Sequence, residues 1–273
     1  MTTPLPHRRA GRGPALVFVH GYLGGSAQWE AEISRFSADY DVIAPDLPGF
    51  GAAADRPGCD RIEGFAQAVM NLLDHLDIDR FILLGHSMGG MIAQEMAARH
   101  AARVNRLILY GTGPLGAMPD RFEPIDVSRQ RLETDGVADT ARRISATWFR
   151  KGEEADGFPA VRDIGAQASA SAALAALDAM AHWDGRSALG RLTMPTLVLW
   201  GDSDRSYRWP QVESLWRNLP VGELSVIPGA AHAAHLEKPG IFHLVLDDFL
   251  ADRANRPSAE RPAARVLHPE SPS

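Results

Sequence analysis

The chain has 273 residues, of which 45% are hydrophobic and 23% charged, and its formal net charge is −6. This composition excludes a disordered chain, which would be poorer in apolar residues, and a fibrous protein, which would show a short repeat. The slight acidity and the lack of a run rich in lysine and arginine argue against a nucleic acid as partner.

The cysteine content and the first residues narrow the class further. Cys59 is the single cysteine, which excludes an intrachain disulfide and a cysteine-based metal site. The N-terminus lacks the apolar stretch of a secretory signal, and no apolar run is long enough to span a membrane. We therefore expect a soluble, cytoplasmic protein of small-molecule metabolism without a membrane partner. A monomer and a homodimer both remain open.

Short apolar runs alternate with helical patterns along most of the chain. The runs predict buried strands, because parallel strands are covered on both faces. Apolar residues at helical spacing predict intervening helices. This alternation predicts a parallel α/β sheet with right-handed crossovers. The predicted strands cover residues 15–19, 42–44, 81–84, 107–110, 196–200 and 224–227, and the clearest helices 62–76, 88–99 and 240–250.

The alternation stops after Tyr110, because residues 114–190 contain no convincing strand. They hold helical patterns instead, and the stretch is too long to be a loop of a compact domain. We interpret it as a helical cap that sits on the sheet. The predicted division is a core of residues 14–113 and 191–252, a cap of residues 114–190 and a disordered tail of residues 253–273. The helical patterns of the cap lie at residues 127–135, 137–148 and 166–181.

The sequence Gly85-His86-Ser87-Met88-Gly89 has the form GxSxG and lies between a predicted strand and a predicted helix. A nucleophile elbow requires this strand–turn–helix setting, since the serine occupies a sharp turn at the end of the strand. The alternative is a serine that caps a helix between two glycines. We interpret Ser87 as a candidate nucleophile.

A serine nucleophile needs a base, and the base needs an acid that orients it, in the chain order serine, acid, histidine. Asp202 and Asp204 follow one predicted strand, and His232 follows the last one. Both loops open on the edge of the sheet where Ser87 lies. The residues therefore predict a serine–histidine–acid site with two candidate acids.

Five motifs give the chain a specific resemblance. It resembles enzymes of the α/β-hydrolase fold, which implies a mostly parallel sheet flanked by helices, with a helical cap inserted after the sixth strand. By this resemblance Ser87 is the nucleophile, Asp204 rather than Asp202 the acid, and His232 the base. The motifs are HGYLGG (20–25), DLPGFG (46–51), GHSMGG (85–90), PTLVLWGDSD (195–204) and PGAAHAAHLEKP (228–239).

The resemblance also implies where the oxyanion of the reaction would bind. One donor is the backbone N–H of Met88, and the other is that of Tyr22, with Leu23 as the alternative to Tyr22. Members of the family usually carry a β-hairpin before the HG strand, but only 13 residues precede Pro14 here. One or two strands at the sheet edge should therefore be missing or short.

A serine at the elbow points to acyl chemistry, and the chain is similar to 3-oxoadipate enol-lactonases and related esterases. We expect hydrolysis of a small carboxylic ester or lactone. The alternative is a carbon–carbon hydrolase of aromatic ring-fission products, although such enzymes carry GNSxGG and a tryptophan after the base where this chain has Ala233-Ala234. A perhydrolase-like enzyme and a ligand receptor of the same fold also remain open.

No cofactor and no metal are expected. Residues 111–116 fit GxGxxG, but Pro114 and Pro119 oppose the helix that a dinucleotide site needs. The cap should place apolar side chains over Ser87, and one of its arginines in the pocket would suit a carboxylated substrate. The candidate pocket residues are Leu23, Leu115, Met118, Trp148, Trp183 and His235, and the cap arginines are Arg121, Arg129, Arg131, Arg142, Arg143 and Arg150.

Overall fold

The computed structural model describes residues 3–119 and 121–251. Within them the chain forms a seven-stranded sheet in the order β1-β3-β2-β4-β5-β6-β7. β1 runs antiparallel to β3, and every other neighbouring pair is parallel. The strands are β1 (His7–Ala10), β2 (Ala15–Val19), β3 (Asp41–Pro45), β4 (Phe81–His86), β5 (Val104–Tyr110), β6 (Thr196–Gly201) and β7 (Gly222–Ile227).

Helices cover both faces of this sheet, as nearly continuous apolar strands require. Phe36 of α1 and Phe249 of α9 are buried in one cluster, whereas Phe65 of α2 and Met96 of α3 are buried in the other. The helices are α1 (Glu30–Phe36), α2 (Ile62–His75), α3 (Met88–Arg99), α4 (Ile125–Thr147), α5 (Phe158–Gly165), α6 (Ala170–His182), α7 (Trp209–Arg217), α8 (Ala234–Glu237) and α9 (Pro239–Leu250).

The predicted fold class is confirmed, and each predicted strand is present. The helical insertion follows β5, the fifth strand of this sheet, rather than a sixth. The reason lies at the N-terminus, where the four-residue strand β1 is the one strand that the described residues place before β2.

The segment between β5 and β6 is helical, and we call residues 114–190 the inserted segment. Gly136 interrupts α4 with φ 78° and ψ 177°, which divides it at the point predicted from the sequence. α6 lies directly against the loop after β3, since a Cβ at Gly58 would come within 2.6 Å of the Ala172 Cα. The exact limits of the cap stay a prediction, and the predicted tail at 253–273 lies outside the described residues.

Candidate active site

Ser87 sits at the junction of β4 and α3 with φ 57° and ψ −120°, a conformation that a residue with a side chain rarely adopts. Its surroundings hold it there at a cost of about 1–3 kcal/mol. The Ser87 N–H donates to the Tyr110 carbonyl (3.0 Å), and the Thr112 hydroxyl donates to the Ser87 carbonyl (2.8 Å). A Cβ at Gly85 would lie 2.2 Å from the Gly89 carbonyl oxygen, so the turn needs glycine.

Asp204 and His232 form a buried pair beside this turn. The His232 Nδ1 lies 2.8 Å from the Asp204 Oδ2, and both side chains are at most 1% exposed. The other carboxylate oxygen, Oδ1, accepts the backbone N–H groups of Ser206 (2.7 Å) and Tyr207 (3.1 Å). Because a carboxylate only accepts, this network assigns the ring proton to Nδ1 and leaves the His232 Nε2 available as a base.

Asp202, the other candidate acid, has a different place. It is exposed, and its carboxylate accepts the backbone N–H of Gly229 at 2.8 Å. It therefore supports the turn after β7. Of the two acids, the structure brings Asp204 to His232.

Two side chains hold the backbone of the loop after β7 that carries His232, which we call the histidine loop. The His232 carbonyl accepts the Tyr110 hydroxyl (2.9 Å) and the His86 Nε2 (3.1 Å). His86 and Tyr110 are stacked with their ring centroids 4.5 Å apart. Burial lowers the pKa of His86 well below its ordinary value, and repulsion from His232 adds to this effect. His86 therefore acts as a neutral donor, a role that sequence reasoning did not assign to it.

His235 lies under this loop rather than in the pocket. Its Nδ1 is 3.1 Å from the Tyr110 hydroxyl, and its ring packs 4.8 Å from that of Trp29. Burial lowers the pKa of His235 to about 4. The ring reaches inward to the Phe242 side chain of α9, with a centroid distance of 5.9 Å. The prediction that His235 lines the pocket is therefore corrected.

The HGY turn touches Ser87 directly. A Cβ at Gly21 would lie 2.8 Å from the Ser87 Cβ, so the backbone of this turn runs alongside the nucleophile candidate. His20 supports the turn, because its Nε2 accepts the Leu47 N–H (3.0 Å) and its Nδ1 then donates to the Gly21 carbonyl (2.8 Å). Neither the Tyr22 nor the Met88 N–H donates to any residue that the structure describes.

A cavity of about 30 Å³ adjoins both Ser87 and His232. Met118 and Trp148, two of the predicted pocket residues, line it. The core and the inserted segment both contribute to the wall. The remaining lining residues are Tyr22, Gly116, Arg121, Phe122, Ile144, Met180, Ser206 and Tyr207.

The other predicted pocket residues lie elsewhere. Leu115 forms an isolated β-bridge with Asp184 and is not among the residues that line the cavity. Trp183 borders a second cavity with its indole Nε1 3.5 Å from a Glu95 oxygen. Leu23 is fully buried at φ 54°, beneath α5. These three predictions are corrected because local backbone geometry, which the sequence does not reveal, sets where each side chain points.

Tyr207 was missed by sequence reasoning, although it stands three residues after Asp204 in the same loop. Its ring is stacked on that of His232, with centroids 5.7 Å apart and planes 14° apart. Its hydroxyl lies beside the side chains of Ser87 and Thr112, and their interaction opposes the rise that burial causes in its pKa. Burial raises the pKa of Tyr207 to about 12, so the hydroxyl keeps its proton at neutral pH.

The inserted segment is fastened to the histidine loop by the backbone. The Ala233 N–H donates to the Trp148 carbonyl at 2.9 Å. The Glu237 carboxylate accepts the N–H of Arg150 (2.7 Å) with one oxygen and that of Ala231 (2.6 Å) with the other. The end of α4 and the loop of His232 therefore belong to one hydrogen-bonded unit.

The described residues contain neither a cluster of metal ligands nor a membrane-spanning helix. Across residues 3–119 and 121–251, no group of three or more His, Cys, Asp or Glu side chains is arranged to hold a metal ion. No helix in that same part of the chain combines the length and the apolar character needed to cross a bilayer.

Comparison with known proteins places the chain in a family. The sequence model of the α/β hydrolase fold family matches residues 14–239, most of the chain. The chain belongs to this family. The match covers the strand before the HGY turn, the GHSMGG elbow and the loops of Asp204 and His232, so the hydrolase fold and the candidate site coincide.

Relatives within this hydrolase family have several activities. The chain is 31% identical to a 2-hydroxy-6-oxo-6-phenylhexa-2,4-dienoate hydrolase of Burkholderia cepacia, over 89% of this chain and 90% of that protein. It is 29% identical to 3-oxoadipate enol-lactonase 2 of Acinetobacter baylyi, over 84% of this chain and 86% of that protein. Among solved structures, a thermophilic esterase of Thermogutta terrifontis superposes with a TM-score of 0.82 at 27% identity. The superposition covers 90% of this chain and 92% of the esterase.

Proposed function

We propose that this hydrolase cleaves a small carboxylic ester or lactone through an acyl-enzyme formed on Ser87. One observation carries the proposal: Ser87 and His232 adjoin the same cavity, and His232 is paired with the buried Asp204. The names of two relatives, an enol-lactonase and an esterase, support this reaction class.

In the first half of the reaction, the Ser87 Oγ attacks the carbonyl carbon while its proton passes to the His232 Nε2. The carbonyl π bond becomes an oxyanion. When the oxyanion collapses, the bond to the leaving alkoxide breaks, and the alkoxide takes the proton from His232. An ester releases an alcohol, whereas a lactone opens and keeps its hydroxyl on the bound acyl chain.

In the second half, water replaces the alcohol. The His232 Nε2 takes one proton of the water as its oxygen attacks the acyl carbon, and the second oxyanion collapses. The bond to the Ser87 Oγ breaks, and His232 returns the proton to the serine. The product is a carboxylic acid, and both side chains regain their starting protonation.

Fixed dipoles stabilise the charges that form. The Tyr22 and Met88 N–H groups are the donors for the oxyanion, and they have no acceptor among the described residues that would compete. Asp204 faces the imidazolium at 2.8 Å and holds its ring orientation. Since two backbone N–H groups fix the carboxylate in turn, little reorganisation accompanies proton transfer.

A fluorophosphonate probe tests the proposal. We expect it to add one adduct at Ser87, found by intact mass and peptide mapping, and we expect turnover of short p-nitrophenyl esters. Ser87→Ala should abolish both, whereas Ser34→Ala, at a serine outside the cavity, should change neither. An unlabelled protein with unchanged esterase activity in Ser87→Ala would refute the triad, and binding without turnover would favour a receptor.

Carbon–carbon hydrolysis is the second candidate, because the relative at 31% identity is a dienoate hydrolase. The residue after the base favours the ester reaction, since Ala233 stands there in place of a tryptophan. An enol-lactone and a ring-fission dienol, supplied in parallel at equal concentration, separate the two. We expect the larger kcat/KM for the lactone; a larger value for the dienol would reverse the preference.

A further inference from the structure

Arg121 lines the same cavity as Ser87 and is held firmly there. Its Nη1 donates to the Glu123 carbonyl (2.7 Å) and to the Ser128 hydroxyl (3.1 Å). Its guanidinium also lies over the Phe122 ring, 5.0 Å from the centroid. Burial lowers the pKa of Arg121, but a guanidinium stays charged in proteins. A fixed cation therefore faces the space next to the proposed nucleophile.

The cation lacks a carboxylate partner. Glu123 is the buried acid of this region, and it pairs with Arg143 (2.8 Å) and Arg131 (3.1 Å). No ion pair joins Arg121 to an acid among the described residues, and its Nε and Nη2 donate to none of them. Arg143 itself keeps two buried nitrogens without an acceptor in that part of the chain. Two arginines thus share the Glu123 carboxylate, and Arg121 has no carboxylate of its own among the described residues, which leaves its positive charge and free donors beside the cavity.

The Tyr22 hydroxyl supplies a second donor. The Tyr22 side chain is 5% exposed and lines the cavity, yet its hydroxyl has no hydrogen-bond partner in the described part of the chain. Buried hydroxyls are nearly always paired, so an unpaired one beside a cavity indicates a missing ligand group. Tyr22 and Arg121 line the same cavity, and the positive charge of Arg121 opposes the rise that burial causes in the pKa of Tyr22.

We propose that the substrate carries a free carboxylate on its acyl chain, bound by the guanidinium of Arg121 and the hydroxyl of Tyr22. This proposal rests on the proposed acyl transfer at Ser87. A carboxylate fits because it accepts from both arms of a guanidinium and from a phenol at once. Tyr22 would then contact the substrate at both ends, with its N–H at the reacting carbonyl and its hydroxyl at the carboxylate. The substrate class is therefore a short half-ester, or a lactone with a carboxylate substituent.

Kinetics on paired substrates tests this subsite. Monomethyl esters of succinate, glutarate and adipate carry the carboxylate, and the matching dimethyl esters lack it. We expect at least one monoester to exceed its diester in kcat/KM. Arg121→Met should lower kcat/KM for that monoester by about 10- to 100-fold, the range for losing charge-assisted hydrogen bonds, and change the diester by less than about 3-fold. Tyr22→Phe, which retains the backbone N–H, should lower the monoester value by about 5-fold.

Two comparisons make the test decisive. Arg142→Met removes an exposed arginine of the inserted segment that pairs with Glu153, and should leave the preference for the monoester intact. Preference for every diester in the wild type, or an equal loss on both substrates in Arg121→Met, would overturn the subsite.

Binding separates this subsite from the proposed reaction. Calorimetry with free glutarate should detect binding to Ser87→Ala and none to the double variant Ser87→Ala/Arg121→Met. If the probe labels Ser87 but glutarate binds both variants equally, the subsite fails and the serine chemistry stands. If glutarate binding needs Arg121 while Ser87 is never labelled, the reaction fails and the anion site stands.

Discussion

Tyr207 contacts both of the side chains that we propose to exchange a proton. Its ring is stacked on His232, and its hydroxyl lies beside the Ser87 side chain. The ring limits how far the imidazole can tilt, and the hydroxyl is placed to influence the serine oxygen. The backbone N–H of Tyr207 also donates to Asp204 at 3.1 Å, so one residue touches all three members of the proposed triad.

Removing only the hydroxyl separates these effects. We expect Tyr207→Phe to lower kcat by about 10-fold, the loss expected for one hydrogen bond of about 1–1.5 kcal/mol, because the stacked ring remains and the polar group beside the serine oxygen is removed. Since the pKa of Tyr207 is about 12, this factor should stay constant from about pH 6 to pH 9. Steady-state kinetics against Tyr40→Phe, at a tyrosine outside the cavity, measures it. An unchanged kcat would mean that the hydroxyl does not act on Ser87.

The register of two neighbouring strands brings together the side chains that support the loop of His232. His86 and Tyr110 are paired residues on β4 and β5, which brings both side chains to the His232 carbonyl. His235, at the start of α8, completes the buried layer beneath that loop. Two of these groups are histidines whose burial opposes their charging, so this layer is stable only while both rings are neutral.

The free energy of unfolding should therefore fall with decreasing pH before the carboxylates become protonated. His235 has a pKa of about 4 when folded and about 6.5 when unfolded, so the unfolded chain binds more protons between these values. The neutral His235 ring therefore adds about 3 kcal/mol to the free energy of unfolding above about pH 6.5. This amount is lost as the pH falls toward 4. His86 shifts in the same direction. Urea unfolding at several pH values should show this loss of unfolding free energy.

Two variants identify the group responsible. In His235→Gln the amide can still bond to the Tyr110 hydroxyl but does not titrate. The free energy of unfolding should therefore change less with pH between about 6.5 and 4, with a slope that corresponds to about one proton fewer taken up on unfolding. His75→Gln replaces an exposed histidine and should keep the wild-type slope. Equal slopes in the wild type and His235→Gln would contradict the assignment.

The strands, and the loops that the sheet topology brings together, can be predicted from the sequence. Ser87 follows β4 directly, and Asp204 and His232 lie in the loops after β6 and β7. Parallel strands bring such loops to one edge, so their convergence could be anticipated. The strands themselves could be located because their apolar runs are nearly unbroken. β1 was missed because its residues, HRRA, are mostly charged. Its pairing is stabilised by Arg9, which donates to both oxygens of Asp41 on β3.

The cavity wall could not be predicted in the same way. The inserted segment has apolar side chains on several helix faces, and periodicity does not tell which face meets the core. Trp148 and Trp183 look alike in the sequence, yet of the two it is Trp148 that adjoins His232, with ring centroids 5.4 Å apart. Arg121 could be noticed only as one of six arginines. Tyr207 was overlooked because the motif ends at the acid.

The hydrogen bond from Ala233 to Trp148 has a mechanical consequence. The inserted helices cannot swing away as a rigid lid pivoting at their first residues, because that motion would pull the loop of His232 with them. We therefore expect the cavity to widen around Met118 and Phe122, while the end of α4 stays joined to the loop of His232. A wall that yields on one side would admit substrate without disturbing the pair of His232 and Asp204.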